Sequence, residues 1–132
     1  MPSFDPRTIR DALRERGVAL NPPVTADALE RLTRWAGDAP HQDVVELLRV
    51  FDGFSDDDFD ADSFVSVWPV DKAIVDDWTR RPTLAFSDWS LNAIIFGFDP
   101  LVGGPAISIE DGRQVAASYR EFWSFLLADQ LL

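Results

Sequence analysis

The chain contains no cysteine. That removes disulfides, thiolate nucleophiles and cysteine-held metal centres from its chemistry. It has one histidine, His41, too few for a multi-histidine metal site. No serine or aspartate stands in a recognisable relation to His41, and beside Pro40 it reads as a solvated residue at a helix start. The nucleophile elbow G-x-S-x-G, the Walker A loop and the G-x-G-x-x-G fingerprint are all missing. No apolar run approaches a membrane span, and the opening MPSFDPRTIR has no signal-peptide apolar region, so a cytoplasmic protein is expected. Positive charge is also scarce, with 12 Lys and Arg against 23 Asp and Glu, a net charge of −11.

Apolar residues, by contrast, are plentiful. They make up 46% of the 132 residues, with ten Phe and five Trp, enough for one domain with a substantial core. The acidic excess is concentrated: residues 38–62 carry nine acids and a single Arg, whereas residues 1–37 are nearly balanced. Such a field repels nucleic acid and anionic membranes and attracts a basic partner. A merely soluble acidic face is the commoner origin of a charge run.

Helical signals dominate the first half. Asp5-Pro6 opens a helix that stops at Gly17, Thr25 caps a second that ends at Gly37, and Pro40 starts a third with Val44, Val45, Leu47, Leu48 and Phe51 inward. The acidic loop Phe54–Ser63 follows, then a strand at Phe64–Trp68 and a short helix capped by Asp71 and running through Trp78. Thr83–Phe86 reads as a strand and Ser87–Leu91 as a turn. In Asn92–Ile109 the period-two pattern puts Ile94, Phe96 and Phe98 on one face, and Ile107 and Ile109 repeat it around Ser108. Gly97, in mid-strand, marks a bulge or a close neighbour. Asp111-Gly112 turns into a last strand near Gln114–Ala117. Ser118 and Glu121 form a capping box for a closing helix with Tyr119, Phe122, Trp123, Leu126 and Leu127 on one face. Helices, then mostly strands, then a helix make an α+β pattern.

Few residues invite chemistry. Asp58, Asp60 and Asp62 have the 1, 3, 5 spacing of an EF-hand, but Ser63 stands where glycine is needed and Pro69 where the bidentate glutamate belongs, so no metal is expected. Asp88, Asp99 and Asp111 lie at strand ends or turns, and a small hydrolase or ligand-binding protein using Asp88 and Asp99 in a cleft between sheet and helices is a further alternative. Trp68, Trp78 and Trp89 could line a recognition surface. Trp35 and Trp123 sit on helical stripes and belong to the core. Trp89, in the polar turn SDWSLN, is the best candidate for an exposed anchor.

Four segments, PHQDVVELLRVFDGF, VSVWPVDKAIVDDW, FSDWSLNAIIFGFD and VAASYREFWSFLL, follow one another in the order and spacing of the SUKH superfamily, which the chain resembles from Pro40 onward. That superfamily includes fungal cell-wall-assembly regulators and bacterial toxin-immunity proteins. The resemblance implies a curved, mainly antiparallel sheet with helices packed on it, no enzymatic activity and no cofactor. It also implies a cytoplasmic, bacterial antidote to a polymorphic or contact-dependent toxin, often a nuclease or deaminase. The expected partner surface is Asp56, Asp57, Asp58, Asp60 and Asp62, with Asp88 and Trp89 beside it. A regulatory or scaffolding domain without a toxin partner is the alternative.

Overall fold

The computed structural model describes residues 4–131. Helix α1 (Pro6–Glu15) begins where expected, with Asp5 accepting the Arg7 backbone N–H at 3.1 Å. Helix α2 (Ala26–Ala36) is capped by Thr25, whose hydroxyl accepts the Ala28 N–H at 3.0 Å. Helix α3 (Gln42–Leu48) starts after Pro40, because His41 supplies the cap: its Nδ1 accepts the Asp43 N–H at 3.1 Å. The imidazole is half-buried and sits so close to Gly103 that a Cβ there would lie 2.8 Å from its Cγ. It is a capping and packing residue, not the solvated one expected.

Five strands follow in a single open antiparallel meander, β1 (Val65–Val67), β2 (Leu84–Trp89), β3 (Ile94–Phe98), β4 (Ala106–Ser108) and β5 (Gln114–Ala116), paired in chain order. Helix α4 (Val70–Val75) bridges β1 and β2, and α5 (Tyr119–Leu127) closes the chain. The α+β architecture is the one the element order implies. No helix among the described residues is long and apolar enough to cross a membrane.

One face of the sheet carries the core. Leu13, Leu32, Leu47 and Phe51 from the helical half meet Phe86, Phe96 and Phe98 from the strands and Phe122, Trp123 and Leu126 from α5. Phe122 lies 4.7 Å from Phe86 and 5.7 Å from Phe96, centroid to centroid, in tilted and edge-on contacts. Each buried aromatic of this kind is worth roughly 1.5–3 kcal/mol through surface removed from water. Trp123 is fully buried and Trp35 packs half-buried on the same cluster, as helical stripes require.

Three local expectations are corrected by tertiary context. First, Phe96 points into the core and pairs with Ser108, so Ser108 and Ala106 are the inward residues of β4, while Ile107 and Ile109 face the other side. Gly97 is needed for that outer packing, because an added Cβ would lie 2.7 Å from Ile109 Cδ1; the bulge lies across from it, in β2. Second, α4 is capped not by Asp71 but by Asp52, whose Oδ1 accepts the Val70 N–H at 2.9 Å. Asp71 instead forms a two-bond pair with Arg31, and the helix stops at Val75, short of Trp78. Third, Glu121 accepts from the Ala117 N–H at 2.9 Å rather than from its capping partner, while Ser118 does cap α5 through the Glu121 N–H.

Two stability predictions arise here. Ser118→Ala is expected to lower unfolding free energy by about 1 kcal/mol in urea denaturation. Burial pushes the Asp52 carboxyl above its ordinary value of 3.8, with the nearby Asp71 charge adding to the shift against the Val70 hydrogen bond. A raised native value means that protonated Asp52 contributes stability that is complete below the ordinary value and is lost as pH rises through the native one. Asp52→Asn keeps an oxygen for the Val70 N–H without the buried charge. Its urea midpoint should therefore equal or exceed the parent's near pH 7, with the advantage vanishing by about pH 3.5.

Candidate interaction surface

The acidic run does not form one uniform surface. Asp60 is 0% exposed and accepts from Arg16 Nη1 at 2.8 Å and from the Ser63 hydroxyl at 2.8 Å. The same guanidinium donates to the Leu127 carbonyl at the end of α5. Asp60 pairs through its backbone with Val65 beside β1, so the fold itself draws the carboxylate inward. It cannot touch a partner, and the expected binding surface loses it. Asp58 is half-buried and accepts the Ala19 N–H at 2.7 Å. Asp58 serves the Ala19 N–H while Asp60 and Asp62 both face Arg16, at 2.8 and 3.8 Å, and the described residues hold no metal-binding cluster of three or more His, Cys, Asp or Glu. Asp56, Asp57 and Asp62 are the exposed acids, with Asp57 paired to Lys72 at 2.9 Å.

Neither Asp88 nor Trp89 is the exposed contact expected, since Asp88 is only 7% exposed and Trp89 is half-buried. The β-bulge between Ala85 and Ser87 inserts one residue opposite Gly97 and Phe96. Strict alternation from Leu84 would send Phe86 and Asp88 inward; the bulge resets the phase after Phe86. Trp89 therefore pairs with Val65 and Ile94 and packs half-buried on the core, as the last residue of β2 rather than part of a turn. It is not the exposed anchor expected. Asp88 faces the outer side beside Ser66, where it accepts the Trp68 indole N–H at 2.7 Å and the Asn92 N–H at 3.3 Å. Trp68 is buried by that contact and by Lys72, whose Nζ lies 4.8 Å from the ring centroid.

Ser66, Lys72, Asp88 and Asn92 line a groove of about 490 Å³ on the outer side of the sheet, near β1 and the β2–β3 turn. Its walls include Asp57, Lys72 and Asp88 together with three large apolar side chains left in water: Phe59 is 44% exposed, Phe64 54% and Leu91 86%. The backbone around it is unusual. Asp56, Asp57, Phe64, Ser90, Leu91 and Asn92 all have positive φ between 52° and 69°. A left-handed conformation costs a residue with a Cβ roughly 1–2 kcal/mol, and bulky Phe and Leu are rare in it. Only Asp129, among the other non-glycine residues described, shares it. Strain gathered beside exposed apolar side chains is typical of a functional surface.

Asp99 is elsewhere. It follows Phe98, which pairs with Leu84, whereas Asp88 pairs with Ile95 near the opposite end of the hairpin. Three residues of extended chain separate them by roughly 10 Å. Asp99 lines a different cavity beside Trp35 and Arg81 and accepts the Leu101 N–H in a turn. The two carboxylates share no cleft, which removes the hydrolase alternative built on them.

Phe59, Phe64, Leu91 and Lys72 are absent from the sequence-derived surface. The available signal was a large apolar residue inside a polar turn, as in DDDFDAD and DWSLN, which for Leu91 and Phe59 pointed to the right loops. No protein-family model matches the chain and no curated protein matches it, so the groove is read from its own chemistry.

Proposed function

We propose that this protein acts by binding another protein, as an immunity-type antidote that neutralises a cognate toxin domain by covering it, without catalysis of its own. The observation that carries this reading is the groove at the acidic loop: apolar side chains held in water by a strained backbone, beside exposed Asp56 and Asp57. Apolar anchors supply affinity at an interface, while surrounding charge supplies orientation and on-rate. A toxin that acts on nucleic acid needs a basic cleft, and a negative surface is its electrostatic complement. The SUKH resemblance supports the toxin as partner and a cytoplasmic setting. A regulatory partner would suit the same groove, and a toxin gene beside this one separates the two roles.

The test is titration of a toxin domain, taken from a toxin gene found beside this one, into the full chain, read by calorimetry. Asp56→Asn, Asp57→Asn and Asp62→Asn together should leave folding intact and weaken binding about tenfold or more, with a flatter salt dependence. Undiminished affinity of the triple variant would reject the acidic surface. Failure of the wild-type chain to bind the toxin would reject the immunity role.

A further inference from the structure

Resting on the reading of the groove as a protein-binding surface, we infer that its occupant is a partner segment presenting an arginine beside a large apolar side chain, with Leu91 as the anchor it packs against. Leu91 stands at the tip of the Ser90–Ala93 turn, 86% exposed, with φ +54°. Folding gains nothing from leaving leucine there, since glycine adopts this conformation without strain and a polar residue would be better solvated. The turn is fixed from below: the Ser90 N–H donates to the Phe64 carbonyl at 2.9 Å, and Asn92 to Asp88. Leu91 and Phe64 are thus joined through backbone, and Phe59 completes an apolar floor that is preorganised before anything binds.

Charge selects the occupant. The one cation among the described lining residues, Lys72, already serves Asp57 through a single 2.9 Å contact and rests over Trp68. A guanidinium can engage Asp57 with two parallel hydrogen bonds, which an ammonium cannot, and exposed Asp56 adjoins it in the chain. The ammonium keeps the Trp68 ring as an alternative resting place. A second copy of this chain is disfavoured, because each carries −11 and both would present the same acidic loop.

The test uses the isotope-labelled full chain and two probes, Ac-Leu-Arg-Leu-amide and Ac-Leu-Glu-Leu-amide, followed by amide chemical shifts. The arginine peptide should perturb Phe59, Phe64, Lys72 and Leu91, and the glutamate peptide should bind roughly tenfold more weakly or not at all. Leu91→Gly should melt at the same or a higher temperature, since it relieves strain, yet lose most of the arginine-peptide response. Equal binding of both peptides, shifts confined to other surfaces, or an unaltered response in Leu91→Gly would overturn the inference. So would concentration-dependent broadening of the groove resonances without peptide, which would make a second copy the occupant. The neighbouring toxin separates this inference from the reading beneath it. If wild type and Leu91→Gly bind the toxin equally, the anchor is wrong and the antidote survives. If the arginine peptide binds the groove but the toxin does not bind at all, the antidote is wrong and the groove's chemistry survives.

Discussion

Asp60→Ala is expected to cost about 3–5 kcal/mol of folding stability, the largest loss of any acidic substitution in the chain. The carboxylate is buried against Arg16 at 2.8 Å and also satisfies Ser63. Removing it strands a guanidinium whose remaining anchors are the Leu127 carbonyl and a longer 3.8 Å contact with exposed Asp62. Arg16 ends α1, Asp60 belongs to the acidic loop and Leu127 ends α5, so one side chain ties three distant parts of the chain together. Urea denaturation of Asp60→Ala beside Asp56→Asn makes the contrast, with the exposed position expected within about 0.5 kcal/mol of wild type. A loss under about 1 kcal/mol at Asp60 would show that the buried pair does not hold the loop. Double substitution with Arg16→Met and Asp60→Leu should recover much of the loss, because neither buried charge is left alone. Asp57 and Phe59 ride on this loop, so Asp60→Ala should also weaken partner binding indirectly; such a loss is no sign of direct contact.

Gly53→Ala is expected to destabilise by roughly 3 kcal/mol through two separable causes. The residue has φ +71°, and an added Cβ would lie 2.6 Å from the Trp68 carbonyl carbon and 2.7 Å from the Pro69 nitrogen. Both neighbours are backbone and cannot swing aside. Gly112→Ala is the control: φ is +73°, but nothing lies within 4 Å of the new Cβ. It should lose only the conformational part, about 1 kcal/mol. Comparable unfolding midpoints for the two variants would mean that the β1–α4 junction can move off Gly53. The junction matters for the groove, because Asp52 beside it caps α4, the helix that carries Lys72.

The difference between these two glycines reflects how much of the molecule was legible beforehand. Asp111-Gly112 reads as a turn in any context, because its requirement lies within a few residues of chain. Gly53 also reads as the stop of the third helix, yet α3 ends at Leu48, and the closeness of Trp68 and Pro69 is invisible fifteen residues away. The same boundary separates Ser118, a cap recognisable from its own turn, from Asp52, a cap for a helix it does not precede. It also explains the two site residues expected to be exposed. Ser87–Leu91 reads as a polar turn, which leaves Asp88 and Trp89 in water, but pairing with β1 and β3 extends β2 through Trp89, and the bulge after Ala85 turns Trp89 onto the core and Asp88 against Trp68. Asp60 reads like its four acidic neighbours, and only Arg16, forty-four positions earlier, sets it apart.

Composition, periodicity and capping chemistry were sufficient for the class of fold, the starts of α1, α2 and α5, the β4–β5 turn and the acidity of the loop, because each depends on interactions within a few residues. Which carboxylates remain free, which tryptophans are covered and where apolar side chains meet water were settled by packing. Those outcomes depend on strand register and on ion pairs between remote segments, and a register shift of one residue inverts every side chain beyond it.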